Sequence, residues 1–96
     1  MTANKELMDR LVALTLATGE ATERNRAQMP AMKEAIFAIG LLSRALDHVG
    51  EIDGRAFVAA LREHPENEVA IGIAAGVEHA LSIAALHAGA ISAARH

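Results

Sequence analysis

Apolar and polar positions follow a helical period from the start of the chain. Leu7, Met8, Leu11, Val12 and Leu14 fall on one face, and Lys5, Glu6, Asp9, Arg10 and Ala13 on the other, which predicts a first amphipathic helix. The pattern stops after Gly19. In "GEATERNRAQ" alanine is the only apolar residue, so the helix either ends there or runs on as a solvated arm with nothing to bury, the most mobile internal segment expected. Pro30 suits the first turn of a second helix, whose stripe Met32, Ile36, Ile39, Leu42, Leu46 and Val49 keeps period up to a stop at Gly50. Asp53 then caps a short third helix presenting Phe57, Val58 and Leu61, and Pro65 punctuates it. A fourth helix begins between Pro65 and Glu68, with Glu66 and Glu68 placed favourably against the helix dipole. The fold expected is all-α: a small bundle of four helices, at about 4–18 or longer, 30–49, 54–64 and 66–94, forming a single domain over residues 1–96 with the last helix long and central.

That last helix carries "VAIGIAAGVEHALSIAALHAGAISAA", Val69 to Ala94, which has the length of a membrane span. A glutamate at its centre would cost about 2.5 to 3.5 kcal/mol in a bilayer, and the basic and aromatic anchors of a span are missing. A core reading explains more. Gly72, Gly76, Ala80, Ala84 and Ala88 recur every fourth residue as a ridge of small side chains against which another helix could approach closely. Around it Val69, Ile71, Ile73, Val77, Leu81, Ile83, Leu86 and Ile91 point in nearly every direction, as in a central helix. After Glu68 the only formal charges are Glu78 and Arg95, and three shorter helices can cover only part of a helix of about 40 Å. A second copy or another protein is expected to cover the rest.

The second helix offers a docking stripe of its own. Phe37 and Leu41 sit on the face otherwise made by Lys33, Glu34, Arg44 and His48, away from Ile36, Ile39 and Leu42, and bulky apolar residues ringed by charge mark a contact surface. The same two residues would serve equally to pack on helix one or four of the same chain.

Composition narrows the function classes. At 96 residues, with 52% apolar residues of which many are alanine, the core should be thin and the backbones close. The net charge is −3 and basic residues stand singly, so no footprint for a phosphate backbone is present and nucleic acid is not an expected partner. Two phenylalanines are the only aromatics, which removes base-stacking platforms and membrane-interface belts. Cysteine is absent, excluding disulfides, thiolate catalysis and cysteine metal sites. "LVALTLATG" has the look of a signal-peptide core, but Glu6 and Asp9 offset Lys5 and Arg10, and the expected compartment is the cytoplasm. An acid-His dipeptide recurs as Asp47-His48, Glu63-His64 and Glu78-His79 without its flanks repeating, which marks no internal repeat.

Histidines are the residues for acid/base or metal work near neutral pH. His79 and His87 lie eight residues apart, about 12 Å along a helix and about 80° around it, so they cannot share one metal on one straight helix. An alternative function is a ligand-binding bundle in which His48, His79 and His87 converge from different helices on a metal, haem or small acid. Glu78 diverges from its neighbour His79 by about 100° and faces Ser82 one turn on; buried, it would need a cation, a donor or a proton, and solvated it would need nothing. Asp47 to Leu61 resembles the second half of an EF-hand, with a Gly bend, an Ile and an exiting helix bearing Phe. In that register Ala45, Val49 and Ala56 occupy ligand positions, so no calcium binding is expected. Phosphate loops, nucleophile elbows and histidine-bridged carboxylates are also missing. The expectation is therefore a non-enzymatic protein-protein interaction module with no cofactor, partnered by itself as a homodimer or by another protein, and by neither nucleic acid nor membrane. Its interface candidates are Phe37, Leu41, Arg44, Gly72, Gly76, Ala80, Ala84 and Ala88.

Overall fold

A computed structural model describes residues 4–94 and contains four α-helices. The first, α1 (Lys5–Arg24), is capped by Asn4, whose side-chain oxygen accepts from the Leu7 N–H at 3.0 Å. The Asn4 N–H donates to the Glu51 carbonyl at 2.8 Å and ties the start of α1 to the loop that follows α2. A single 3-10 turn, Arg26–Gln28, reverses the chain into α2 (Met29–His48), with Pro30 in its first turn where no N–H is needed. Gly50 ends α2 at φ +81°, the left-handed conformation that a side chain would strain.

The short α3 (Gly54–Arg62) starts at Asp53, whose carboxylate accepts from the Arg55 and Ala56 N–H groups at 3.1 and 3.2 Å. Asp47 reaches across the loop to accept from the Gly54 N–H at 2.8 Å, so both carboxylates satisfy backbone donors rather than a cation. The last helix, α4 (Glu68–Ala94), begins two residues later than the sequence pattern suggests. Asn67 is the reason: its side-chain oxygen accepts from the Ala70 N–H at 3.0 Å, leaving Glu66 in the preceding turn.

The core gathers where α3 crosses α4. Phe57 and Leu61 are fully buried, and Leu11, Ile39, Ile52, Val58, Val69, Ala70, Ile73, Ala74 and Val77 complete the cluster. Each large side chain placed there contributes about 1.5 to 3 kcal/mol. The all-α, four-helix expectation holds, and α4 packs against all three other helices.

Three details differ from the periodicity. On α1, Leu14 is exposed and Thr15 is buried in its place; the stripe Leu11, Thr15, Thr18 and Thr22 turns inward, each hydroxyl donating to the carbonyl four residues back at 2.7 to 2.8 Å. On α2 Leu42 is exposed, as is Val49 just past its end, while Ser43 is buried and donates to the Ile39 carbonyl at 2.7 Å. A hydroxyl that returns its proton to its own helix is satisfied without a partner and can enter the core. The third correction concerns the segment after Gly19: α1 runs on to Arg24 with Gly19 and Thr22 buried, so it is packed helix rather than an arm with nothing to bury. Only Asn25 to Gln28 is irregular or 3-10.

Burial on α4 is uneven along its length. From Val69 to Val77 one face lies in the core, and Leu81 is the last side chain packed against it. Ser82 to Gly89 are exposed all round, so that half of α4 projects beyond the bundle and the molecule measures 54 × 26 × 20 Å. Ile91 and Arg95, named above, fall outside the residues whose side chains are described.

Candidate functional site

α1 runs up, α2 returns, and α4 lies beside α2 in the same sense as α2, with Met29 near the start of α4 and Arg44 near Gly76 and Val77. Between α2 and α4 the surface falls into a groove. It is lined by Ile36, Phe37, Gly40, Leu41 and Arg44 from α2 and by Gly72, Ile73, Gly76 and Val77 from α4, and encloses about 220 Å³. A Cβ built on Gly40, Gly72 or Gly76 would meet nothing within 4 Å, so the glycines leave the groove open instead of admitting a neighbouring helix of the same chain. A second depression of about 230 Å³ continues past Ile36 and Gly72 toward Met29, Glu23 and Arg26.

Two features that are far apart in sequence thus meet: the Phe37, Leu41 and Arg44 stripe and the Gly72 and Gly76 end of the small-residue ridge. Phe37 is 67% exposed and Leu41 43% exposed, although each belongs to a type that favours the interior. The rest of the ridge does not share that groove. Ala80 is half-buried, and Ala84 and Ala88 are exposed beyond the bundle. A step of four residues advances about 40° beyond a full helical turn, so a ridge read at that spacing winds off the face it started on.

The exposed apolar line on α4 has a different spacing. Gly72, Gly76, His79, Ile83 and Leu86 are separated by four, three, four and three residues and are all exposed, Ile83 by 52% and Leu86 by 75%. Alternating steps of three and four hold one face, as in a coiled-coil seam. Counting the sequence at the 3.5-residue period would have found it.

Of the charged and titratable groups, Arg44 lines the groove and His79 falls on the exposed line of α4. Glu78 pairs with Arg62 of α3 at 2.8 Å rather than with Ser82, and both side chains are about half exposed, 45% and 49%. So screened a pair contributes at most about 1 kcal/mol. His48, His79 and His87 are each exposed, on the end of α2, the middle of α4 and its projecting half. Among the described residues no group of three or more His, Asp or Glu side chains could hold a metal ion, so the convergence required by a histidine ligand site is not seen. His64 Nδ1 lies 3.5 Å from Glu66 at the turn into α4.

Among the described residues one stretch, Glu68–Gly89, is long and apolar enough to cross a membrane; its most apolar window of 18 residues has a mean hydropathy of 1.8 and is 22% buried. A helix of a soluble protein passes the same test of length and composition, and the first half of this one lies in the core. Comparisons with protein-family models, with curated proteins and with solved structures find no match for the chain.

Proposed function

We propose that this protein is a non-catalytic interaction module that self-associates, using the α2–α4 groove together with the exposed half of α4. The observation that carries the reading is the meeting of Phe37 and Leu41 with Gly72 and Gly76 on one open groove, continued by Ile83 and Leu86 along α4. Bulky apolar side chains beside glycines on one groove, with an adjoining apolar helix, form a surface fit for another helix.

The area supports a second copy as occupant. A compact monomer of this mass exposes about 5,300 Å², whereas the chain exposes 6435 Å². The excess, about 1,150 Å² per copy or about 2,300 Å² in a pair, leaves room for the roughly 1,600 Å² that a standard specific interface buries. The radius of gyration agrees: 14.8 Å against about 12.5 Å for a compact chain of this length. A net charge of −3 opposes pairing only weakly. The cytoplasm is the compartment that goes with this reading, on the charge balance of the first helix.

Light scattering behind a sizing column, at two protein concentrations, tests the proposal. The wild type is expected to pass from monomer to dimer as concentration rises, and the Phe37→Ser/Leu41→Ser double variant to stay monomeric with a denaturant melt within about 1 kcal/mol of wild type. A wild type that stays monomeric at the highest concentration would sink self-association. If that monomer also bound phosphatidylcholine vesicles, the surface would belong to a membrane instead.

A further inference from the structure

We infer that the two copies pair antiparallel along α4, with His79 of each at the two-fold axis and with Ile83 and Leu86 of one copy seated over Gly76 and Gly72 of the other. The inference rests on the self-association proposed above and specifies its geometry.

The distribution of large and small residues along the seam requires this direction. Reading from the bundle outward, the seam is Gly72, Gly76, His79, Ile83 and Leu86: glycine at one end, large apolar side chains at the other, and a histidine in the middle. A parallel pair would set glycine against glycine and leucine against leucine, leaving a void at one end and splaying the helices at the other. An antiparallel pair centred on His79 sets Leu86 opposite Gly72 and Ile83 opposite the turn of Gly76, so each large side chain enters a space where a Cβ would meet nothing within 4 Å. The same arrangement lays the projecting half of each α4 across its partner's α2–α4 groove, where Phe37 and Leu41 stand exposed. Both contacts are made twice by one operation, so the assembly closes as a dimer and does not extend to a filament.

The absence of native cysteine makes orientation measurable by single-cysteine cross-linking. In the antiparallel pair two His79→Cys residues meet at the axis and should oxidise to a linked dimer in most of the chain. Two Leu86→Cys residues would stand about 21 Å apart along the axis, beyond the about 7 Å that a disulfide spans, so Leu86→Cys alone should stay at background while a mixture with Gly72→Cys cross-links. All three positions are exposed, so the fold should survive each change, and helicity by circular dichroism checks it. Equal cross-linking of Leu86→Cys and His79→Cys would mean a parallel pair and would overturn the inference while leaving self-association intact. Dimers by light scattering that none of the cysteines links would place the interface on another face. A strictly monomeric wild type would remove both the inference and the reading beneath it.

Discussion

Asn67 and Gly19 touch so closely that no methyl group fits between them: a Cβ on Gly19 would lie 1.9 Å from the Asn67 side-chain oxygen and 2.5 Å from its Cγ. Asn67 caps α4 through the Ala70 N–H and donates to the Leu16 carbonyl of α1 at 3.1 Å, so this one buried amide joins the start of α4 to the middle of α1.

Gly19→Ala therefore tests which effect wins in α1. Helix propensity alone favours alanine by about 1 kcal/mol. The clash falls on an amide held at both ends, and moving it forfeits a cap and a buried hydrogen bond, together about 1 to 3 kcal/mol. The expected outcome is net destabilisation in a denaturant melt. Gly40→Ala, with open space around its Cβ, should be neutral or slightly stabilising to the monomer. Equal stability of the two variants would contradict the α1–α4 contact.

Ala74 and Gly76 lie two residues apart on α4 and should respond in opposite ways to leucine. Ala74 is fully buried, so Ala74→Leu overpacks the core at a cost of about 1 to 3 kcal/mol or more. A Cβ at Gly76 meets no atom within 4 Å and opens onto the groove rather than the core, so the Gly76→Leu monomer should melt within about 1 kcal/mol of wild type. Because that leucine would fill the groove, its effect should appear in light scattering as loss of the dimer. A large loss of stability in Gly76→Leu would show the groove to be closed.

The start of α3 depends on two carboxylates with different donors. Asp53→Ala removes the cap at Arg55 and Ala56 and should cost about 1 kcal/mol. Asp47→Ala leaves the Gly54 N–H without its acceptor and should cost about 1 to 2 kcal/mol. Adding calcium should rescue neither variant, and a calcium-dependent rise in melting temperature of the wild type would contradict this use of Asp47.

Amide exchange should separate three regions. Glu20 to Arg24 are helical beside buried Gly19 and Thr22 and should be protected, whereas Asn25 to Gln28 should exchange fast. Ser82 to Gly89 have no core contact, so their protection should be low in dilute solution and rise with protein concentration as pairing covers them. Concentration-independent exchange there would count against the α4 interface.

Much of the fold was legible along the chain. The Pro30 start, the Gly50 stop, the Asp53 cap and the Phe57, Val58 and Leu61 face are local consequences of ring geometry, left-handed backbone, a carboxylate acceptor and helical period, and neighbouring residues suffice to fix them. The exposure of Phe37 and Leu41 could be read only as one of two options, because the same residues would have served a contact inside the chain.

Tertiary structure decided the rest, wherever the energy of a residue depends on what lies across from it. Thr15 and Ser43 are polar by type and buried in fact, since each hydroxyl is satisfied by its own helix and the opposite helix supplies only shape. The helix past Gly19 lies beside the start of α4, far along the chain, with Thr22 buried and Asn67 against Gly19. And the glycines of α4, which by sequence suit any close helix contact, line an open groove: α3 and the core side of α4 already satisfy each other, and a helix cannot turn two faces to one neighbour.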